Sequence, residues 1–331
     1  MTSPFLHRSV LSLLLLGTAS LGSAQEPAPS ACHPTLAPRS GGPQVVDSSF
    51  DPPIPDPAFP AERGPLVLLD EGHFNFHTLG GRYAPFVRIL RRDGFVVRSL
   101  GEPWTRAAIG AAKVLVVANA VAERDAAGDW SLPTLPAFRP AEVQAVQAWV
   151  AGGGALFLIA DHMPFPGANE TLAAAFGIGF INGFATDSTC SADEFTFVRA
   201  GGTLADDPIT RGRRAAERVD SVRTFTGQAF RLWGSGRPLL RLGPGTVVLM
   251  PTTTWEFSDT TPRLPAEGLL QGAVVRYGRG RVAVFGEAAM FTAQVAGAER
   301  HAMGLNAATA GQNVQFLLNV MRWLAGVLEP D

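Results

Sequence analysis

The sequence predicts an α/β fold in which a mostly parallel sheet lies between helical layers. Three observations carry that reading. Short apolar runs at residues 66–69, 113–118 and 155–160 have the length of strands buried on both faces. Segments of helical spacing separate them. Each run also stops abruptly in polar residues, at Asp70, Asn119 and Asp161. Strands alternating with helices in this order give a parallel sheet with right-handed crossovers, and ligands bind at the carboxyl edge of such a sheet.

Residues 1–24 read as a secretory signal. His7 and Arg8 precede the apolar run 10–16, and Gly22-Ser23-Ala24 offers small residues for cleavage. That run is too short for a good membrane span, and nothing later approaches about 18 consecutive apolar residues. The expectation is a soluble protein, secreted or periplasmic, with no membrane span. A lipoprotein anchored through Cys32 is the competing view, but Pro29-Ser30-Ala31 is a poor lipobox and lies far from the apolar run. In an oxidising compartment the two cysteines, Cys32 and Cys190, favour a single disulfide over a reactive thiol. With 27 Lys and Arg against 29 Asp and Glu, the chain has no electrostatic case for nucleic acid. The local basic cluster of Arg211, Arg213, Arg214 and Arg218 is matched by Asp206, Asp207, Glu217 and Asp220, which makes it a solvated face.

Residues 25–64 carry proline at high density, which forbids helix and central strand. They are expected to form an extended arm, laid on the domain near residues 51–57. The domain then runs over 65–328. After the first strand, Tyr83, Phe86, Val87 and Leu90 repeat at helical spacing over 82–92, and Gly94 ends that helix. Residues 95–100 form a second strand. A short helical piece at 105–112 leads to the third strand at 113–118. The loop 121–139 is long enough for a lid. Pro140 opens a helix with Glu142 in its first turn and Val143, Val146, Trp149 and Val150 on one face; Gly152-Gly153-Gly154 stops it, and the fourth strand, 155–160, follows. Residues 180–241 break the pattern and read as an insertion of short strands and loops. Order returns at 246–250. Two strands joined at Gly278-Arg279-Gly280 then lead through Gly286-Glu287 towards a closing helix at 312–324.

Three strand ends thus carry acids or histidines: Asp70, Glu71 and His73; Asp161 and His162; and Glu287. If the strands are neighbours, these groups converge with Asn119 between them. The segments DEGHFNFH (70–77), ADHMPFPGAN (160–169) and YGRGRVAVFGEAAMF (277–291) resemble the class I glutamine amidotransferase-like superfamily. More narrowly they resemble its secreted, uncharacterised bacterial branch, which is related to gliding-motility and intraflagellar-transport domains and to trehalose-utilisation-like proteins. The resemblance covers roughly residues 65–324 and implies a flavodoxin-like three-layer sandwich with a mostly parallel sheet, here with an irregular β-rich insertion at about 180–241. It also marks Asp161-His162 as the reactive position of the superfamily.

The chain departs from that family at the decisive place. The turn Ala160-Asp161-His162-Met163-Pro164 lacks the cysteine of a G-x-C-x-G elbow, so no glutamyl thioester can form and amidotransferase activity is not expected. A G-x-S-x-G serine elbow is absent as well. The remaining chemistry is proton transfer. Glu71, His73, Asp161, His162 and Glu287 are the candidate catalytic residues, because clustered carboxylates raise one another's pKa and imidazole titrates near neutrality. Asp70, Asn75, His77, Asn119 and Phe165 are the candidate ligand-binding residues, with Phe74 and Phe76 around them. The expected function is hydrolase-like action on a small polar or carbohydrate substrate. The alternatives are binding of a saccharide or peptide without chemistry, and an interaction domain with a vestigial pocket. No cofactor is named by the sequence. A divalent metal held by His73, His77, His162 and the carboxylates is the unfavoured variant, since H-x-x-x-H lacks the glutamate of H-E-x-x-H.

Overall fold

A computed structural model describes Met1 and residues 44–328, with 191 and 193 excepted. The expected signal segment, the first part of the arm and Cys32, one end of the expected disulfide, lie outside the described residues. The four apolar runs form strands β1 (Leu66–Asp70), β2 (Val96–Leu100), β3 (Val114–Ala118) and β4 (Ala155–Ile159). Five further strands complete a nine-stranded sheet: β5 (Ile178–Phe180), β6 (Phe230–Leu232), β7 (Arg237–Arg241), β8 (Leu270–Tyr277) and β9 (Gly280–Phe285). Its order is β2-β1-β3-β4-β9-β8-β6-β5, with β7 also paired to β8. The strands from β2 to β9 are mutually parallel, and everything beyond β9 is antiparallel.

The helices α1 (Ala84–Arg92), α2 (Pro140–Ala151), α3 (Phe165–Ala174) and α4 (Asn313–Ala325) cover both faces. Successive side chains of a strand point to opposite faces, so each central strand feeds two cores. Val114, Val116 and Ala118 of β3 pack with Phe86 and Leu90 of α1 and with Phe316 and Leu317 of α4. Leu115 and Val117 pack on the other side, with Val146 and Val150 of α2 and Leu172 of α3. Each fully buried Val, Leu or Phe contributes about 1.5–3 kcal/mol, which outweighs the weak propensities of strands only five residues long.

The expected insertion is not a separate body. Its segments β5, β6 and β7 extend the central sheet, while Phe184–Asp187 pairs with Thr246–Leu249 and Arg263–Pro265 in a three-stranded sheet. Thr196–Val198 pairs with Ser221–Arg223. The α/β class holds, with more strand and less helix than the sequence leads one to expect. The described part of the arm lies on the domain: Val45–Val46 pairs with Ala293–Ala296, and Phe50, Ile54 and Phe59 pack against the core beneath α1 and α4.

Candidate functional site

Parallel order brings the carboxyl ends of β1, β3, β4 and β9 side by side. Asn119 ties them together. It sits in the left-handed region at φ 59°, which asparagine tolerates, and its N–H donates to Ile159 O at 3.0 Å. Its Oδ1 accepts from the Asp161 amide at 2.9 Å, and its carbonyl accepts from Phe76 N at 3.0 Å. Asn119 is therefore a clamp joining the turn after β4 to the loop after β1.

Asp161 and Glu287 come together at this edge. Asp161 Oδ1 accepts from His162 N at 2.8 Å, and Oδ2 accepts from Ala288 N at 3.3 Å. Glu287 is fully buried, and its two oxygens accept from Ala289 N (2.6 Å) and Met290 N (2.7 Å), which caps the turn that follows β9. Burial, reinforced by the Asp161 charge, pushes the Glu287 carboxyl well above the usual range, against the lowering effect of the backbone amides it accepts. The Tyr83 hydroxyl donates to Ala288 O at 3.2 Å. Its own pKa is raised by burial and by these two acids.

His162 is half-buried. Its Nδ1 lies 2.7 Å from Met163 O, which also accepts from Thr254 Oγ1 at 3.3 Å. The ring stacks on Phe184 (centroids 4.6 Å apart, 14° between planes) and meets Trp255 edge-on at 4.7 Å. His77 is only 3 % exposed and stacks on Tyr83 at 4.7 Å, while its Nδ1 has no hydrogen-bond partner among the described residues. Burial, with Arg82 and His162 adding repulsion, pushes its pKa down to about 3, so it is neutral. Arg82 places its guanidinium 4.4 Å from the Phe76 ring.

A second cluster lies on the α2 side of β1 and looks inward. Asp70 is fully buried; it meets His73 Nδ1 at 3.0 Å and accepts from Trp104 Nε1 at 2.9 Å and from Asn75 Nδ2. Asn75 Oδ1 accepts from Ala118 N at 3.0 Å. His73 Nε2 meets Glu142 Oε1 at 3.1 Å, and Glu142 also accepts from the amides of Trp104 (3.2 Å) and Arg139 (2.9 Å). Trp104 and Phe138 pack on the His73 ring. Burial works against charging His73, but Asp70 and Glu142 outweigh it and its pKa rises. Every member of this group is used to hold β1, β3 and α2 together. Glu71 turns elsewhere again: it accepts from Leu79 N at 2.6 Å and from Ser99 Oγ. The candidate set thus separates. His77, Asn119, Asp161, His162, Phe165 and Glu287 share one neighbourhood; Asp70, His73 and Asn75 form an internal brace; Glu71 secures a loop.

Aromatic rings wall the first neighbourhood. Phe76 lies 5.7 Å from Phe165 and 5.9 Å from Trp130, and Phe165 lies 5.8 Å from His162. Phe74 (φ 48°) and Trp255 (φ 67°) both adopt the left-handed region, which bulky residues rarely enter, and Phe74 is left half exposed. The expected lid is pinned: Trp130 Nε1 donates to Asp125 O at 2.7 Å, Arg124 donates to Pro133 O at 2.8 Å, and Ser131 bridges to Thr253. A cavity of about 260 Å³ lies between Asp187, Phe197 and Arg241 in the β-rich segment, and neither Asp161, Glu287 nor any of the candidate imidazoles lines it. Among the described residues, no three His, Cys, Asp or Glu side chains are grouped so as to hold a metal ion. Nor is any helix of these residues long and apolar enough to cross a membrane.

Sequence reasoning missed Arg82, Tyr83, Glu142, Trp130 and Trp255 as parts of these clusters. Arg82 and Tyr83 follow Gly80-Gly81, a turn signal at the mouth of the site, but their spacing reads as the start of α1. Trp255 stands in a threonine-rich loop that offers no periodicity at all.

No protein-family profile matches the chain, and no curated protein matches it by sequence. Solved structures do. The mmIFT52 N-terminal domain superposes with a TM-score of 0.54 at 14% identity, over 78% of this chain and 96% of that one. A thua-like protein from Bacteroides uniformis gives 0.47 at 12% identity, over 82% and 95%. A thua-like protein from Parabacteroides merdae gives 0.43 at 12%, over 81% and 93%. The fold of this chain is thus similar to that of the mmIFT52 domain, in line with the sequence resemblance, and at such identity the likeness speaks of fold alone.

Proposed function

We propose that this chain is an exported, flavodoxin-like α/β domain of amidotransferase-like descent that performs hydrolase-like acid–base chemistry on a small polar or carbohydrate substrate. The observation that carries the reading is His162. Its Nδ1 donates to Met163 O at 2.7 Å, which fixes the proton on that nitrogen and leaves the Nε2 lone pair without a hydrogen bond among the described residues. An imidazole so oriented is a general base for water, and no cysteine or serine elbow competes for the role. Arg82 supplies positive charge for a developing anion, and the rings of Phe76 and Trp255, neither fully buried, give a flat substrate a surface. Export rests on residues 1–24 and the cysteine pair.

One observation favours the second reading, binding without turnover. The oxygens of Glu287 and Asp161 already accept backbone N–H groups, so no free second acid stands opposite His162. Turnover on a panel of glycosides, esters and amides separates the two. The hydrolase reading expects His162→Gln to lower turnover by about 10²–10⁴-fold with the melting temperature nearly unchanged. If the wild-type protein turns over nothing on the panel while a ligand still raises its melting temperature, binding is the function.

A further inference from the structure

Arg82 is half-buried at the mouth of the site and lacks the partner that buried arginines usually have. Its single hydrogen bond is a long one, 3.5 Å to Gln44 O, and it forms no ion pair among the described residues. Asp161 is felt electrostatically but does not close a salt bridge. The ring of Phe76 holds the guanidinium in place at 4.4 Å. A second, independent observation points the same way. His77, 3 % exposed and next in sequence to Phe76, has a buried Nδ1 that meets no partner. A buried polar nitrogen left without a bond costs about 1–3 kcal/mol, and neutral His77 brings one ring N–H that can donate. Trp255, which meets His162 edge-on, holds a left-handed backbone beside the same place.

The local balance therefore leaves the Arg82 guanidinium short of an anionic partner. The acids beside it are occupied: both oxygens of Glu287 and both oxygens of Asp161 accept from backbone amides. What the arrangement lacks is an acceptor with negative charge and a flat body to lie beside the exposed Phe76 ring. We propose that this edge takes a small ligand carrying a carboxylate beside a sugar ring or other flat face, with Arg82 gripping the carboxylate. A guanidinium fork matches a carboxylate in a bidentate manner that an ammonium cannot. The proposal rests on the functional reading above and narrows its substrate class to acidic molecules, such as sugar acids.

The test uses the full-length processed protein with glucuronate and benzoate as probes, and glucose and benzamide as their uncharged counterparts. Binding is followed by thermal shift and tryptophan fluorescence. At millimolar concentrations the two acids should bind about tenfold or more tightly than the neutral molecules, the span of a charged hydrogen bond. Arg82→Gln should erase that preference, and Arg82→Lys should keep part of it. Arg106→Gln, which removes the same charge from an exposed site, should keep all of it. The proposal is overturned by equal binding of acids and neutral counterparts, by no response to either acid, by stronger binding of inorganic phosphate, or by an undiminished preference in Arg82→Gln. Where Arg82→Gln does not fold, Arg82→Lys carries the comparison, and an unweakened response there overturns it. Binding is read without turnover. Failure of the hydrolase reading would therefore leave the acid preference intact, and absence of the preference in the wild-type protein would overturn this proposal whatever that protein's turnover of neutral substrates.

Discussion

Asp93→Ala should be among the most damaging single changes in this protein. Asp93 follows α1, is fully buried, and its carboxylate takes three donors: Arg322 Nη2 at 2.6 Å, Arg322 Nε at 3.0 Å and Ala58 N at 2.7 Å. Arg322, on α4, is 1 % exposed and also reaches Glu217 Oε1 at 3.1 Å and Asp56 O at 2.9 Å. Removing one partner of a buried ion pair costs about 3–5 kcal/mol, because the other charge stays behind in a poor solvent. Glu217 remains to face Arg322 after the change, so the lower end applies, about 3 kcal/mol. The stranded amide of Ala58 adds about 1 kcal/mol more. In a domain of this size each kcal/mol lowers the melting temperature by about 2 °C or slightly more, which gives a fall of about 8 °C. Urea unfolding followed by tryptophan fluorescence, together with calorimetry, measures both. The double variant Asp93→Ala/Arg322→Met should recover part of the loss, since an apolar replacement leaves no stranded charge. A loss below about 1 kcal/mol in Asp93→Ala, or no recovery in the double variant, would show that this pair does not join arm, α1 and α4 as argued.

Further expectations concern the inward brace and the chain turns. The folded pKa of His73 lies above its unfolded value, so its contribution to stability is complete below about pH 6.5 and is lost as pH rises through the folded value. The stability gap between wild type and His73→Gln should therefore narrow from pH 6 to pH 9 in a urea series; a constant or widening gap refutes the assignment. Gly94 has φ +91°, and a Cβ there would lie 2.3 Å from Phe59 O, so Gly94→Ala should cost about 2 kcal/mol or more. Gly101→Ala meets nothing within 4 Å and should stay within about 0.5 kcal/mol in the same denaturation assay.

What the sequence disclosed follows from which signals are local. A parallel strand buried on both faces is a run of apolar residues, so β1 to β4 and β9 could be read almost to the residue. Strands of three residues such as β5 and β6 contain no full period, and their partners lie about fifty residues apart in the chain, so the sheet's antiparallel extension was invisible. The same limit governed the site. A polar residue at a strand end is placed correctly at the carboxyl edge, but which side of the sheet it serves depends on its position in the pleat and in the loop after it. Asp70 and Glu71 are adjacent and part company: one braces α2 through His73 and Glu142, the other closes a loop onto Ser99. Glu142 was read as a helix-opening acid, and it is one, yet its second oxygen is what completes the brace.

The turn after β4 gains meaning from this sorting. A nucleophile elbow works by exposing one atom on a strained turn; here the corresponding turn spends Asp161 on backbone amides and Met163 O on orienting an imidazole. The brace around Asp70 explains why that turn can be held rigid without joining in any reaction, since Asn75 links the brace to β3 and Asn119 links β3 to Asp161. Asp161 and Glu287 are thus engaged by backbone amides, while His162 Nε2 and His77 Nδ1 have no hydrogen bond among the described residues and Arg82 has only the long one to Gln44 O. An edge whose carboxylates already accept backbone amides, and whose arginine forms no ion pair among the described residues, favours a negatively charged ligand. The same accounting underlies the proposed preference for acidic ligands.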